Sequence, residues 1–279
     1  MRKTLSAMRV LVALAALSAG APALAQHIYA TPDAAAEALG DAIARSDDDA
    51  IKHVLGNEYR KLLPPSGVDR DDVYDFLAAW ARHHAIQPDG DRLALLAVGD
   101  SGWTFPVPLV RQKNGWQFDL RAGEREVLHR RLGRNELVAM ETLLQLADAQ
   151  ERYAQQVGDG RYAPQLVSSP GKTNGLYWPS TSQENASPVG PDALAMVPET
   201  PVDSAFYGYH YRVIAAPKGS DAKYAFVAWP AQYGLSGVHT FLLGSDKVFY
   251  ERDLGTSTPA RAKAIRSFAP EGWQRVADH

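Results

Sequence analysis

The sequence predicts an α+β fold in two parts, because helical periodicity is followed by strand alternation twice along the chain. Residues 26–122 contain three amphipathic helical segments and then a hairpin-rich run of strands. Residues 123–279 contain a long helical segment, a stretch over residues 157–206 with little periodicity, and a meander of strands. We therefore expect a small α+β domain over residues 26–122 and a second α+β domain over residues 123–279.

The first 25 residues have the pattern of a secretory signal peptide. Arg2, Lys3 and Arg9 form a positively charged start, and residues 10–19 are apolar and uncharged. Ala23-Leu24-Ala25 follows as a small-x-small cleavage site, so we expect cleavage after Ala25 and a periplasmic or secreted protein. The apolar run is shorter than the ~20 residues that cross a bilayer, which favours a cleaved leader over a retained anchor. No later stretch is apolar enough to span a membrane.

Charge and cysteine content exclude several classes of function. The full chain has a formal net charge of −3, and removal of three basic residues with the leader makes it about −6. Nucleic-acid binding requires clustered positive charge, so no nucleic-acid partner is expected. The chain has no cysteine, which rules out disulfides, thiolate metal sites and a lipid-modified N-terminal cysteine.

Within the first domain, Thr31-Pro32 reads as a helix start, and apolar residues then recur at helical spacing from Ala35 to Ile43. Further helices are expected over residues 48–55 and 69–84. Strands are expected over residues 93–98, 103–109 and 116–120, with Asn114-Gly115 as a hairpin turn. Pro106 and Pro108 cannot donate to a ladder, so the second of these is expected to be an edge strand or an irregular one. This order is similar to the curved-sheet cones of cystatin-like and nuclear-transport-factor-like folds, which often hold a pocket between helix and sheet.

Within the second domain, helical segments are expected over residues 124–132 and 134–156. Residues 157–206 are rich in Gly, Pro, Ser and Asn, but they include the apolar cluster Leu176-Tyr177-Trp178-Pro179. We expect this segment, the excursion, to be ordered and packed on the domain, because a long loop in a compact domain is usually functional or structured. Strands are expected over residues 207–213, 224–230, 238–243 and 248–250, and a last helix from Thr258 to about Phe268.

Two clusters of polar residues could be metal sites, but a structural role is favoured for each. Asp47, Asp48 and Asp49 could hold calcium, yet carboxylates at a helix start are favoured by the helix dipole. His83 and His84 could bind a metal, but adjacent helical residues point about 100° apart and do not converge on one ion. No metal and no cofactor is therefore expected.

Catalytic motifs are absent from the sequence. There is no H-E-x-x-H, no P-loop and no G-x-G-x-x-G after a strand, and Gly234-Leu235-Ser236-Gly237 does not match G-x-S-x-G. A Ser-His-Asp set can be assembled from distant residues, and Ser236 with His239 or His210 is the best available combination. We assign no catalytic residue.

Aromatic residues supply the remaining candidate site, as a surface on which a sugar or peptide could stack. Alternating tyrosines in a strand more often form one packed face of a sheet, and that reading is favoured here. Any site is expected where the stretch from residue 170 to 206 meets the strands. The candidate binding residues are Tyr177, Trp178, Tyr207, Tyr209, Tyr211 and Trp229.

Several short motifs, in a constant order, resemble those of one family of exported bacterial proteins. They are Arg131-Leu132-Gly133-Arg134-Asn135-Glu136, Ala149-Gln150 with Tyr153, Pro170-Gly171-Lys172, Gly175-Leu176-Tyr177-Trp178-Pro179, Tyr207-Gly208-Tyr209-His210-Tyr211-Arg212, Ala228-Trp229-Pro230-Ala231, Tyr233-Gly234, Gly237 with Thr240-Phe241, and Asp253-Leu254-Gly255. Together they resemble the domain-of-unknown-function 2950 family. The second half is also similar to the globular heads of type IV pilin-like and pseudopilin proteins, although the segment before its helix is charged.

The combined pattern favours a non-catalytic binding or scaffold protein of the cell envelope. Its partner would be another envelope protein or a glycan. Two alternatives remain: an envelope hydrolase, and a small-ligand carrier that uses a pocket in the first domain.

Overall fold

The computed structural model describes residues 26–64, 67–180, 186–216 and 222–277. The predicted signal peptide over residues 1–25 lies outside them. The chain divides into two compact units between Glu124 and Arg125. Both combine helices with an antiparallel sheet, so the predicted α+β class is confirmed.

Unit 1 begins with three helices whose starts are set by local capping. They are α1 (Pro32–Ala44), α2 (Asp48–Leu55) and α3 (Arg70–Arg82). The side chains of Thr31, Asp47 and Asp69 each accept a hydrogen bond from the backbone N–H three residues later, which satisfies one of the open donors at a helix start. Helix α3 ends two residues before the predicted end, because His84 already belongs to a strand.

The sheet of unit 1 has four antiparallel strands in the order β1-β2-β3-β4. They are β1 (His84–Asp89), β2 (Leu93–Val98), β3 (Leu109–Gln112) and β4 (Gly115–Phe118). Residues 103–109, expected as an edge strand or an irregular one, form no continuous strand: this stretch makes a single bridge at Thr104, and β3 starts only at Leu109. Pro106 and Pro108 lack the N–H groups that a continuous ladder needs. Strand β1 was not predicted.

The core of unit 1 lies between the helices and the sheet. Half-buried Phe76 and Trp80 of α3 pack against it. A Cβ on Gly40 of α1 would lie 2.7 Å from the Trp80 ring, so the small residue lets α1 and α3 approach closely. The fully buried members include Ala35, Leu39, Leu96, Val107, Leu109 and Phe118.

Unit 2 is built on a single long helix and a five-stranded meander. Helix α4 (Leu120–Gln156) runs for 37 residues without a break, where the sequence predicted two segments. The strands are β5 (Tyr209–Ile214), β6 (Ala225–Pro230), β7 (His239–Gly244), β8 (Phe249–Asp253) and β9 (Gln274–Arg275), paired antiparallel in chain order. The short β9 was not predicted. None of the described helices combines the length and apolar composition needed to cross a bilayer.

Every residue of β6 is buried, as its uninterrupted apolar sequence predicted for a central strand. One face of the sheet packs on α4 through Tyr209, Tyr211 and Phe226. The other face packs Val227 and Trp229 against α6 (Thr258–Ala264). Helix α6 ends four residues before the predicted end, because Ser267 bridges Ala215 at the end of β5.

Candidate binding cleft

The excursion is held on the C-terminal half of α4 by side chains of that helix. Fully buried Gln150 donates from Nε2 to the carbonyl of Ala163 (2.9 Å) and accepts at Oε1 from its N–H (2.8 Å). The hydroxyl of Tyr153 donates to the carbonyl of Thr173 (2.9 Å), and Arg152 donates to that of Pro188 (3.0 Å). The described parts of the excursion, which include the short helix α5 (Ala193–Met196), are therefore an ordered wall of unit 2.

The six aromatic residues predicted to bind do not share one surface. Tyr209, Tyr211 and Trp229 are fully buried, the tyrosines on the α4 side of the sheet and Trp229 on the other. These three rings are core residues, and the burial of Tyr209 and Tyr211 agrees with the core packing favoured for the alternating tyrosines. Of the others, Trp178 is buried, Tyr177 is half-buried and Tyr207 is 56% exposed. Tyr207 has a left-handed backbone (φ 45°), a conformation uncommon for a tyrosine.

A cleft of about 390 Å³ at one end of unit 2, the acidic cleft, is lined by the carboxylates of Glu136 and Glu251 and by Leu137, Met140 and Phe241. The carboxylate of Glu136 has a structural role. Its Oε1 accepts the N–H groups of Val238 (2.8 Å) and His239 (3.1 Å), and its Oε2 lies 3.2 Å from Nδ1 of His239. Both oxygens of this carboxylate therefore hold the start of β7 in place.

The hydroxyl of Ser236 is bound within its own loop. It accepts the N–H of Gln232 (3.0 Å) and donates to the carbonyl of the same residue (3.1 Å). His239 pairs with Glu136, and Nδ1 of His210 lies 3.1 Å from the carbonyl of Val197. In the described part of the chain, no hydrogen bond joins Ser236 to either histidine, so the residues of the predicted Ser-His set have structural partners instead.

The two candidate metal clusters are likewise engaged in protein contacts. The carboxylate of Asp48 bonds Lys52, Arg60 and the hydroxyl of Tyr59, and these hydrogen bonds hold its pKa well below the ordinary value. The His84 ring stacks on Trp80 (centroids 4.0 Å apart), and its Nε2 lies 3.0 Å from Glu37. Over residues 26–277, as far as they are described, no three His, Asp or Glu side chains are grouped to hold a metal ion.

The larger cleft, about 670 Å³, lies where the excursion meets β5, and we call it the edge cleft. Residues 164–167, 194 and 197–199 of the excursion form one wall. Residues 211–213 of β5 form the opposite wall, and Lys263 and Arg266, in and just after α6, also line the cleft. Its volume is within the range of about 300–1,000 Å³ of typical ligand sites. Tyr211 is the one candidate aromatic residue in its lining.

Strand β5 lies at the edge of the sheet, and the peptide groups on its open side face the edge cleft. At the end of this edge, the N–H of Ala215 bonds the carbonyl of Arg266 (3.1 Å), and the carbonyl of Ala215 accepts from Phe268 (2.9 Å). Because peptide groups alternate sides along a strand, those of Val213 and Tyr211 point the same way. Among the described residues, neither has a backbone partner on that side.

The charges around the edge cleft are mostly positive. Arg212 is engaged by the end of α6, because its guanidinium donates to the carbonyls of Ala262, Lys263 and Ile265 and lies over Trp229. The exposed cations of Lys263 and Arg266 make no ion pair with a described residue. Glu199 is the one acid in the lining, so two unpaired cations face one carboxylate.

His210 fastens the excursion to β5 beside this cleft. Its Nδ1 lies 3.1 Å from the carbonyl of Val197, a residue of the opposite wall. Burial lowers the pKa of the ring, which favours a neutral imidazole that donates from Nδ1. The two walls are therefore joined at this point by a hydrogen bond between uncharged groups.

Comparison with known proteins gives one match. A family model described as "Protein of unknown function (DUF2950)" matches residues 26–276 of this chain. No curated protein and no solved structure matches. The similarity to cystatin-like cones and pilin-like heads therefore stays a prediction, and the cleft has to be interpreted from its own geometry.

Proposed function

Because the chain belongs to the DUF2950 family, whose description assigns no activity, we propose from its geometry that it is a non-catalytic binding protein of the bacterial cell envelope. Its ligand would lie in the edge cleft. The observation that carries this proposal is the ordered excursion, which forms a wall opposite strand β5 and leaves space for a ligand between them.

The way the excursion is built supports a binding role. A loop of this length would lose less conformational entropy if it stayed mobile, yet buried Gln150 and Tyr153 hold it on α4. Long ordered loops in compact domains are often functional. The edge cleft is concave and combines apolar residues with charged ones, so it offers a ligand both contact area and specific polar partners.

An envelope location is the second half of the proposal. It rests on the leader predicted over residues 1–25 and on the negative net charge of the chain, which disfavours a nucleic-acid partner. The expected partner is another envelope protein, with a glycan as the alternative.

The test is site-specific photocrosslinking in the native host. A photoreactive amino acid replaces Leu194, which is 52% exposed and lines the edge cleft. The matched control replaces Tyr74, which is 65% exposed on α3 of unit 1. We expect irradiation to give one reproducible adduct from position 194 and none from position 74. Equal adducts at both positions, or none at position 194, would contradict binding at this cleft.

A further inference from the structure

We propose that the edge cleft binds an extended peptide segment carrying carboxylate side chains, and that this segment adds a strand to the open edge of β5. The inference rests on the proposed binding function and names the chemistry of its ligand. Three features carry it: the unpaired peptide groups of β5, the apolar residues opposite them, and two cations in the lining of the cleft.

The peptide groups of β5 provide the first feature. Ala215 already pairs on this side with residues 266–268 of the same chain, which shows that the edge accepts an added segment. That segment does not extend along Val213 and Tyr211, whose N–H and C=O groups would be the next rungs. The unused edge is about 7 Å long at ~3.3 Å per residue, enough for a peptide of a few residues. Strand addition to an exposed edge is a common mode of peptide recognition.

The wall opposite β5 suits the side chains of such a peptide. Leu166, Val167, Val197 and Pro198 give it an apolar surface, and Leu194 lies at its rim with half of its surface exposed. In an added strand, alternate side chains point to opposite faces, so every second one would contact this wall. We therefore expect apolar residues at alternate positions of the ligand.

The charges specify the rest of the ligand. Arg266 is the first residue of the segment that pairs with Ala215, so it lies next to the Val213 end of the unused edge. Lys263 lines the same cleft, and neither cation makes an ion pair with a described residue. Carboxylates on the peptide would complement both. The single acid, Glu199, would repel a peptide with acidic residues along its whole length.

The lining favours a peptide over a glycan. Sugar-binding sites present the open faces of aromatic rings. Tyr211 is the one aromatic residue in the lining of the edge cleft, and its side chain is fully buried in the core. What the cleft offers instead are strand-edge peptide groups, aliphatic side chains and cations.

The test begins with peptide selection. Protein purified after expression of the full chain is immobilised and used to select from a phage-displayed library of random nonapeptides. Selected sequences are synthesised with a fluorescent label, each beside a version with Gln and Asn in place of Glu and Asp. We expect enrichment of acidic peptides with alternating apolar residues, and about tenfold weaker binding of the neutral versions. No enrichment, or enrichment of basic sequences, would overturn the inference.

Strand addition is tested at Val213. The variant Val213→Pro removes the N–H that faces the cleft and leaves the bonds to β6 intact, since proline is tolerated on an edge strand when its nitrogen faces outward. The control Val213→Ala keeps that N–H and shortens the side chain. We expect about tenfold weaker binding for V213P and less than about threefold for V213A. Equal affinities would show that the edge is not used.

Amide hydrogen exchange on the unaltered protein covers the case in which V213P does not fold. The N–H groups of Tyr211 and Val213 should exchange more slowly when a selected peptide is bound, because they become hydrogen-bonded. The N–H of Ala215 already bonds Arg266 and should change little. A peptide that binds without slowing exchange at Tyr211 and Val213 would contradict strand addition.

The cations are tested by replacing Lys263 and Arg266 together with Gln. The control pair, Arg252→Gln with Arg275→Gln, removes the same charge from exposed positions on β8 and β9. We expect the first pair to weaken acidic peptides about tenfold without affecting the neutral versions, and the control pair to change neither. A similar loss in both pairs would indicate attraction by net charge alone.

The binding function and the peptide inference can be contradicted separately. An adduct at position 194 in cells, combined with no selected peptide or with a glycan as the captured ligand, would overturn the peptide inference and leave the binding function standing. Loss of the adduct itself would overturn both.

Discussion

The carboxylate of Glu136 lies 3.2 Å from Nδ1 of His239, although 103 residues separate the two along the chain. The same carboxylate accepts the N–H groups of Val238 and His239, and neighbouring Asn135 donates from Nδ2 to the carbonyl of Ser236 (2.9 Å). Two adjacent side chains of α4 thus hold the turn that leads into β7.

From this relationship we expect Glu136→Ala to lower the free energy of unfolding by about 2–3 kcal/mol, since it leaves two backbone N–H groups without their charged acceptor. Glu136→Gln keeps an acceptor oxygen and should cost about half as much. Urea unfolding of the purified protein measures both. Glu141→Ala, at an exposed position of the same helix, is the control and should stay within about 0.5 kcal/mol. Equal losses at positions 136 and 141 would refute the role of Glu136.

The second prediction concerns Gln150, which pairs with both backbone groups of Ala163 from a fully buried position. Gln150→Ala leaves these two groups unpaired and should cost about 2–4 kcal/mol. We expect the excursion to be cut faster in limited proteolysis, with fragments mapped by mass spectrometry. The exposed Gln155→Ala on the same helix should leave the cleavage rate unchanged. An unchanged pattern for Q150A would show that other contacts hold the excursion.

Two glycine-to-alanine changes should have opposite signs. A Cβ on Gly237 would lie 2.1 Å from the hydroxyl oxygen of Tyr209, so Gly237→Ala must displace a fully buried ring that donates to the carbonyl of His239. We expect a loss of about 1–3 kcal/mol. On Gly133, in the interior of α4, a Cβ meets nothing within 4 Å, so Gly133→Ala should stabilise by about 0.5–1 kcal/mol. Thermal unfolding measures both, and a stabilising G237A would contradict the packing around Tyr209.

The fourth prediction is a pH dependence in unit 1. The hydrogen bond to Glu37 raises the pKa of His84 above the ordinary value of about 6.5. Its ion pair should therefore stabilise the fold below about pH 6.5, and this contribution should be lost as the pH rises through the raised pKa. NMR titration of the His84 ring should show a lower pKa in Glu37→Gln.

The matched control for this titration is Asp75→Asn, an exposed acid on α3 that forms no ion pair with a described residue. It should leave the His84 titration close to that of the unaltered protein. The stability difference between E37Q and the unaltered protein should be largest near pH 5.5. Its size should stay below about 1 kcal/mol, because solvent screens a partly exposed pair. An equal shift in both variants would point to general charge effects.

Features set by neighbouring residues could be predicted from the sequence. The cap Thr31 lies next to the helix that it starts, and the apolar run of β6 predicted a strand buried on both faces. The hairpin predicted at Asn114-Gly115 is present, but its turn lies one residue earlier. The strands pair from Gln112 to Gly115, so the turn residues are Lys113 and Asn114. Glycine is required at position 115 because a Cβ would lie 2.1 Å from the carbonyl oxygen of Tyr29.

Features that depend on distant contacts could not be predicted. Helix α4 continues through Gly133 and Asn135, and the side chain of Asn135 bonds Ser236 about a hundred residues later, a contact that no local pattern shows. No local pattern shows that Arg212 contacts the end of α6, or that Glu199 and Lys263 line the same cleft. The cleft that we propose as a binding site lies where the excursion meets β5, and of the six aromatic residues predicted to bind, Tyr211 is the one in its lining.

The long separation between α4 and its partners has a consequence for the time course of folding. When the helix emerges during synthesis, the turn that Asn135 and Glu136 hold has not yet been made, because it lies 101 to 103 residues downstream. Closing so large a loop is slow, and contacts of this kind form late. Unit 2 should therefore remain incomplete until the chain has passed residue 239, so this unit of a newly made chain stays unfolded while its strands are being synthesised.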